Sequence, residues 1–316
     1  MDNFISVEDA GDPEQLVKEA LEIKKQKFNY KHLGQNKSIC LIFLNPSLRT
    51  RLSTQKAAMN LGMDVVTMDI GKEGWQLEFE DGVVMSGDRS EHIKEAAAVI
   101  GSYFDIIGIR SFPGLENRED DYSEKVISQF AKYSGVPVVN LESSTLHPLQ
   151  SLTDLITLRE HSQIAKPKVV LTWAPHPRTL PQAVPNSFAQ WMNQADIDLF
   201  ITHPQGYELD ERFSGNAKIT HNQHEAFEGA DFIYAKNWSS YQQYGQRLDI
   251  SEDWMVSAEK MALTNSAKFM HCLPVRRNVV VGDAVIDSPD SLVIPQAANR
   301  EIAAQVVLKK ILENMN

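Results

Sequence analysis

Residues 39–62 read ICLIFLNPSLRTRLSTQKAAMNLG. The apolar run at the start has the character of a buried strand, and LRTRLSTQKAAMNLG has that of a helix closed by Gly62. The loop between them poses a chemical question. Helix N-termini carry partial positive charge and unpaired N–H donors, so Arg49 and Arg51 are locally unfavourable there. Something negative is expected between them. Ser47 and Thr50 add hydroxyls beside those N–H groups, which makes the segment a candidate phosphate cradle. A lone arginine pair at this place would otherwise be read as a solvated helix start.

Working outward, the same alternation repeats. Upstream, DPEQLVKEALEIKKQKF has helical spacing, with Leu16, Ala20, Leu21 and Ile23 on one face. Downstream come strand MDVVTMDI, helix SEHIKEAAAVIGSY with Ser90 as its expected N-cap, strand FDIIGIR ending at Arg110, helix DYSEKVISQFAKYSG and strand PVVNLE. LQSLTDLITLREHS reads as a long linking helix, after which the pattern restarts with strand PKVVLTW. A proline-rich loop, APHPRTLPQAVP, precedes a helix near NSFAQWMNQA and strand DLFITHP. FEGADFIYAK and KFMHCLP are further strand-like segments, and ANREIAAQVVLKKILENM is an amphipathic C-terminal helix. This order predicts α/β architecture: two domains, each a parallel sheet flanked by helices. The expected division is 1–150 and 151–296, with helix 297–316 packing back on the first domain.

Composition removes several classes of function. A net charge of −11 over 316 residues disfavours non-specific binding to nucleic acid or anionic membrane. The two cysteines, Cys40 and Cys272, are too few for a disulfide framework, which fits a reducing cytoplasm. The opening MDNFISVEDAGD lacks the apolar core of a signal peptide, and the apolar runs are too short to span a bilayer. Neither G-x-x-x-x-G-K-[ST] nor G-x-G-x-x-G occurs, so ATP and dinucleotide readings lose their usual support.

The unusual polar clusters fall at the carboxyl ends of expected strands, where open parallel sheets bind ligands. They are Ser47–Arg51, Arg110, Glu142–Gln150, His176–Arg178, Lys236 and His271–Arg276. HPLQ (147–150) and HCLP (271–274) are each weak alone. HNQH (221–224) has poor metal-ligand spacing and is read as a solvated loop. Trp75, in the polar stretch GKEGWQLEFED, is either incidental or reaches a partner surface.

SLRTR, HPLQ and HCLP together, in that order and at strand ends of two α/β halves, resemble the carbamoyltransferase (transcarbamylase) family over nearly the whole chain. The Ser-Met-Gly and Asp-Gly-Asn-Asn-type motifs by which ordinary ornithine enzymes grip a free amino acid are missing. IYAKNW and TWAPHPRTLPQAVPNS resemble instead the branch acting on ornithine acylated at its α-nitrogen, and WAPHPR with HCLPVRRN is most similar to its succinyl form.

The resemblance implies carbamoyl transfer from carbamoyl phosphate to the side-chain amine of N-succinyl-L-ornithine, in arginine biosynthesis. N-acetyl-L-ornithine is the alternative acceptor, and a non-catalytic phosphate-binding regulator is a remoter one. By the same resemblance Ser47, Leu48, Arg49 and Thr50 form the carbamoyl-phosphate loop, joined by Trp75 from a neighbouring subunit. Arg110, His147, Pro148, Leu149, Gln150 and Arg300 bind the carbamoyl group, and Cys272 and Leu273 line its pocket with carbonyls. Arg110, His147, Gln150, Cys272 and Arg300 are the expected catalytic set. Glu142, His176, Lys236 and Arg276 are the expected acyl-ornithine contacts. Arg178 and Ser90 are candidates for acyl selectivity, since proline marks succinyl-type and glutamate acetyl-type sequences near position 90. The resemblance further implies a homotrimer with shared active sites, a knotted second domain, and no metal or organic cofactor.

Overall fold

The computed structural model describes residues 1–315; Asn316, the end of the expected C-terminal helix, lies outside the described residues. The strands are β1 Ser38–Phe43, β2 Asp64–Asp69, β3 Leu77–Glu78, β4 Glu91–His92, β5 Ile106–Arg110, β6 Val138–Glu142, β7 Lys168–Trp173, β8 Asp198–Thr202, β9 Lys218–Thr220, β10 Phe232–Lys236 and β11 Lys268–Met270. The chain forms two compact units. One holds Met1–Gly114, Arg118–Leu149 and the chain from Arg300; the other holds Leu115–Asn117 and Gln150–Asn299.

The first unit is built on a parallel sheet in the order β2-β1-β5-β6. Strands β5 and β6 are buried at every residue and β1 at all but its first, which is why they read as unbroken apolar runs. Ile42, Ile107 and Ile109 pack with Ile93 and Ala97 of helix Ile93–Tyr103 and with Ile127 and Phe130 of helix Lys125–Tyr133. A β-carbon on Gly101 would lie 1.8 Å from the Ser134 carbonyl oxygen, so only glycine allows this close approach. Phe4 bridges Val139 and tethers the N-terminal segment to β6. Helix Arg49–Asn60 is anchored to the C-terminal helix Val293–Met315: the Asn60 side-chain amide donates to Glu301 at 2.7 Å and to Gln305 at 3.1 Å.

The chain passes from β1 to β2 on one side and to β5 on the other, so the strand order reverses between β1 and β5. Such a switch point leaves a crevice beyond the carboxyl ends. Here it is flanked by the Leu44–Leu48 loop and by Arg110. A register shift between β5 and β6 sets Arg110 opposite Glu142. Irregularities of this kind re-aim side chains, and this one aligns a guanidinium with a carboxylate.

The second unit carries a parallel sheet in the order β11-β10-β7-β8-β9. Its core includes Val170, Ile233 and Phe269 from the strands, with Phe227, Val281 and Val285 around them. The order reverses between β7 and β10, a switch point flanked by the loop after Trp173 and by Lys236.

Several local expectations change. The helix expected from DYSEKVISQFAKYSG is two, Arg118–Tyr122 and Lys125–Tyr133, because Glu124 takes a left-handed φ of 52° between them. Ser90 is not an N-cap: its N–H donates to the Gln76 carbonyl beside the small β3–β4 pair, and His92 caps helix Ile93–Tyr103 instead. The helix near NSFAQWMNQA begins earlier, at Ala183, with Pro185 in its first turn where no intrahelical N–H is needed. Among the described residues no helix is long and apolar enough to cross a membrane.

Candidate active site

In the first unit, helix Arg49–Asn60 begins after Leu48 with no side-chain cap, so its first-turn N–H groups face outward as donors. Ser47 and Arg49 are half-buried there, Leu48 is exposed and Thr50 is buried. The Thr50 hydroxyl oxygen accepts from Arg300 Nη2 at 2.7 Å and from Arg110 Nη1 at 3.4 Å. Both lone pairs of that oxygen are thereby engaged, which leaves its hydrogen to donate onward.

Arg110 also donates to Glu142 through Nη1, while Phe112 packs its ring 4.3 Å from the guanidinium carbon. Arg110 Nε is buried and meets no acceptor among the described residues. His147 Nε2 lies 3.5 Å from Glu142 and 3.5 Å from Arg300 Nη2. Thr50, Arg110, Glu142, His147 and Arg300 are all at least nine-tenths buried, which makes this a preorganised cationic cluster with one built-in carboxylate. Pro148 and Leu149 follow His147 as the start of helix Pro148–His161, proline taking the position where its missing N–H costs nothing.

Glu142 was expected among the acyl-ornithine contacts; it lies in the first unit, bonded to Arg110. Trp75 is 58% exposed, and its indole N–H donates to Glu91 at 2.8 Å rather than to the cluster. Ser90 is exposed.

A residue outside the expected set shapes the approach to His147. The Glu124 carboxylate accepts from Ser143 Oγ and Thr145 N at 2.7 Å, from Ser144 N at 3.3 Å and from the Thr145 hydroxyl, pinning loop 143–146. Burial pushes its carboxyl above the usual carboxylate range, partly offset by these donors. No sequence signal distinguishes Glu124 from the other acidic residues of REDDYSE.

In the second unit, a chain of buried hydrogen bonds fixes the HCLP turn. Gln150 Nε2 and Gln296 Nε2 each donate to Asp154 Oδ1 at 2.7 Å, and Gln296 Oε1 accepts from the His271 N–H at 2.9 Å. His271 Nδ1 in turn accepts from the Leu273 N–H at 2.9 Å. Leu273 has a left-handed φ of 54° and precedes a cis peptide to Pro274. A side chain in that region of φ is costly and is held only by a surrounding network such as this one. Cys272 is partly exposed at the turn. Burial pushes the nearby Tyr234 phenol well up, with Asp154 and Cys272 beside it.

The loop after β7 presents His176, whose Nδ1 lies 3.0 Å from the Arg178 N and 2.9 Å from the Arg178 carbonyl. Burial, and then the positive charges of Lys236, Arg276 and Arg178, hold its imidazole below the usual histidine range. Lys236 is buried at the end of β10, and no ion pair among the described residues engages it or Arg276. These residues form a cationic group suited to carboxylates.

Known proteins match the chain in sequence and fold. Residues 3–160 match the aspartate/ornithine carbamoyltransferase carbamoyl-P binding domain, and residues 181–311 match the Asp/Orn binding domain. The chain belongs to the aspartate/ornithine carbamoyltransferase family. It is 59% identical over the full length of both chains to an N-succinylornithine carbamoyltransferase of Bacteroides fragilis (strain 638R). It is 40% identical, over 90% of this chain and 89% of the other, to an N-acetylornithine carbamoyltransferase of Xanthomonas campestris pv. campestris. A solved structure of N-acetyl-L-ornithine transcarbamylase superposes with a TM-score of 0.92 at 37% identity, covering 98% of this chain and all of that one. That protein carries a glutamate-to-alanine replacement and is complexed with carbamyl phosphate and N-succinyl-L-norvaline.

Proposed function

We propose that this protein transfers the carbamoyl group of carbamoyl phosphate to the side-chain amine of N-succinyl-L-ornithine, giving N-succinyl-L-citrulline and phosphate. The convergence of Arg110 and Arg300 on Thr50, at an uncapped helix start, carries the reading. It supplies hydroxyl, guanidinium and backbone donors to an acyl phosphate, with Ser47 and Arg49 completing the cradle. Leu48 contributes backbone there, and Trp75 comes from the next subunit of a homotrimer.

In the reaction the neutral amine nitrogen bonds to the carbamoyl carbon, and the bond from that carbon to the phosphate oxygen breaks. The electron pair leaves with phosphate, which takes the amine proton. Arg110, His147 and Arg300 stabilise the charge that develops on the carbamoyl oxygen. Gln150 and the carbonyls of Cys272 and Leu273 fix the carbamoyl NH2, and Pro148 and Leu149 set the orientation of that segment. Positioning and electrostatics suffice for this chemistry.

For the acceptor, Lys236 and Arg276 take the α-carboxylate. The near-neutral His176 receives the acyl amide region, a role in which Glu142 assists as an acceptor. An acylated α-nitrogen carries no charge, so a cationic group here does not repel it. Arg178 and Ser90 favour succinyl over acetyl: one offers a cation to the second carboxylate, and the other is small and neutral. The relative holding N-succinyl-L-norvaline after loss of a glutamate supports this view of selectivity. The test is kcat/KM for both acylornithines in the wild type and Ser90→Glu. The succinyl preference should fall sharply in the variant, because an unpaired like-charge contact costs up to several kcal/mol. A wild type that prefers N-acetyl-L-ornithine, or an unchanged ratio, refutes it.

A further inference from the structure

At the carboxyl ends of β8 and β9, three residues not assigned above, His203, Glu208 and His221, come together. Each offers a potential ligand atom, and these atoms all lie within 4.8 Å of one another. His203 follows β8, His221 follows β9 and Glu208 lies on the connection between the two strands. The two imidazoles meet edge to face with ring centroids 5.0 Å apart.

Their hydrogen bonds define which nitrogens are available. His203 Nδ1 lies 2.8 Å from the Pro204 carbonyl, and His221 Nδ1 lies 3.0 Å from the His203 carbonyl. A carbonyl only accepts, so both Nδ1 atoms carry the hydrogen and both Nε2 atoms keep a lone pair. This is the tautomer of metal-binding histidines, whose second ring nitrogen is commonly fixed by a carbonyl or carboxylate. One Glu208 oxygen accepts from the Gly206 N–H at 3.1 Å, which orients the carboxylate. His203 is buried, Glu208 half-buried and His221 exposed, so the set opens to solvent on one side.

We propose that His203, His221 and Glu208 form a binding site for a divalent transition ion of the zinc class. Two imidazoles and one carboxylate suit zinc, cobalt or nickel and not the all-oxygen shells of magnesium or calcium. A tetrahedral ion bonded at about 2 Å draws its ligands about 3.4 Å apart, so binding needs a modest closing of these side chains. The fourth position is left to water. The physical consequence is a clip: β9 is a three-residue edge strand with exposed side chains, and the ion ties its end to the end of β8.

The experiment is to strip the full-length protein with a chelator and titrate it with Co2+ or Zn2+ alone. Wild type, His221→Ala and Glu208→Gln are compared by cobalt visible absorption and by Tm. Because His221 is exposed, its variant should fold, and Glu208→Gln provides an independent second test. The proposal expects one equivalent bound by wild type, an absorption without a thiolate-to-cobalt band, and a Tm that rises with metal. Both variants should bind at least about 100-fold more weakly and lose the Tm response. Wild type that takes up no metal overturns the proposal. So does affinity retained in both variants, or binding that shows only the thiolate band of Cys272.

Discussion

Arg49 stands at the first turn of an uncapped helix, where its charge opposes the helix dipole, and a bound phosphate reverses that disadvantage. Charge-assisted hydrogen bonds to phosphate are each worth about 1.5–3 kcal/mol, so Arg49→Ala should weaken carbamoyl-phosphate saturation about tenfold to a hundredfold. Initial rates against carbamoyl phosphate concentration measure this directly, and normal saturation would remove Arg49 from the cradle. The two thiols should also separate cleanly. Burial pushes Cys40 to about 11, whereas Cys272 is partly exposed. A thiol reagent at pH 8 should therefore modify Cys272 in the native protein and reach Cys40 only after unfolding. The sign of the pH effect follows from the raised value: Cys40 contributes stability fully below the ordinary thiol range, and that contribution is lost as pH rises from about 9 to 11. Chemical denaturation at pH 8 and pH 10.5 reads the difference. At this scale SLRTR, Arg110, HPLQ and Arg300 were legible because they sit at strand ends or in recognisable strings. Glu124 and the His203–Glu208–His221 group were not. Their roles arise from loops meeting in space, and HNQH alone gave no sign that His221 faces a histidine after another strand.

Helix Ile93–Tyr103 and the segment at Ser134 approach so closely at Gly101 that a methyl group would strike a backbone carbonyl. A backbone atom cannot rotate aside as a side chain does, so Gly101→Ala should destabilise the first unit by about 1–3 kcal/mol. A thermal melt should show a lower Tm, and an unchanged Tm would mean that the two segments separate freely. Long elements were readable from sequence because each buries a whole strand or one helix face. The short ones were not. Strands β3 and β4 have two residues each and fall in polar stretches of sequence, and two of the three β9 residues are exposed, so none carries a hydrophobic period. Ser90 illustrates the same limit: its type suits an N-cap, but Glu91 and His92 pair with Leu77 and Glu78 as strand β4, which moves the helix start to Ile93. The break at Glu124 was likewise hidden, since a left-handed glutamate has no local signature.

For the molecule as a whole, the repeated β–α alternation made two parallel sheets legible, and the strand orders explain where chemistry collects. Each sheet reverses its order once beside a loop rich in polar residues: Ser47–Thr50 with Arg110 in one unit, His176 with Lys236 in the other. Strand order itself cannot be read from periodicity, because a buried strand looks the same at any position in a sheet. The proposed function divides along the same line: donors for an acyl phosphate in the first unit, and cations for the carboxylates of an acylated amino acid in the second. The most direct measurement supplies carbamoyl phosphate with N-succinyl-L-ornithine, N-acetyl-L-ornithine or L-ornithine and follows both phosphate release and the ureido product. The account predicts stoichiometric phosphate and N-succinyl-L-citrulline, with the highest kcat/KM for the succinyl substrate and little turnover of L-ornithine. Efficient carbamylation of unmodified L-ornithine, or no ureido product from either acylated form, would contradict it.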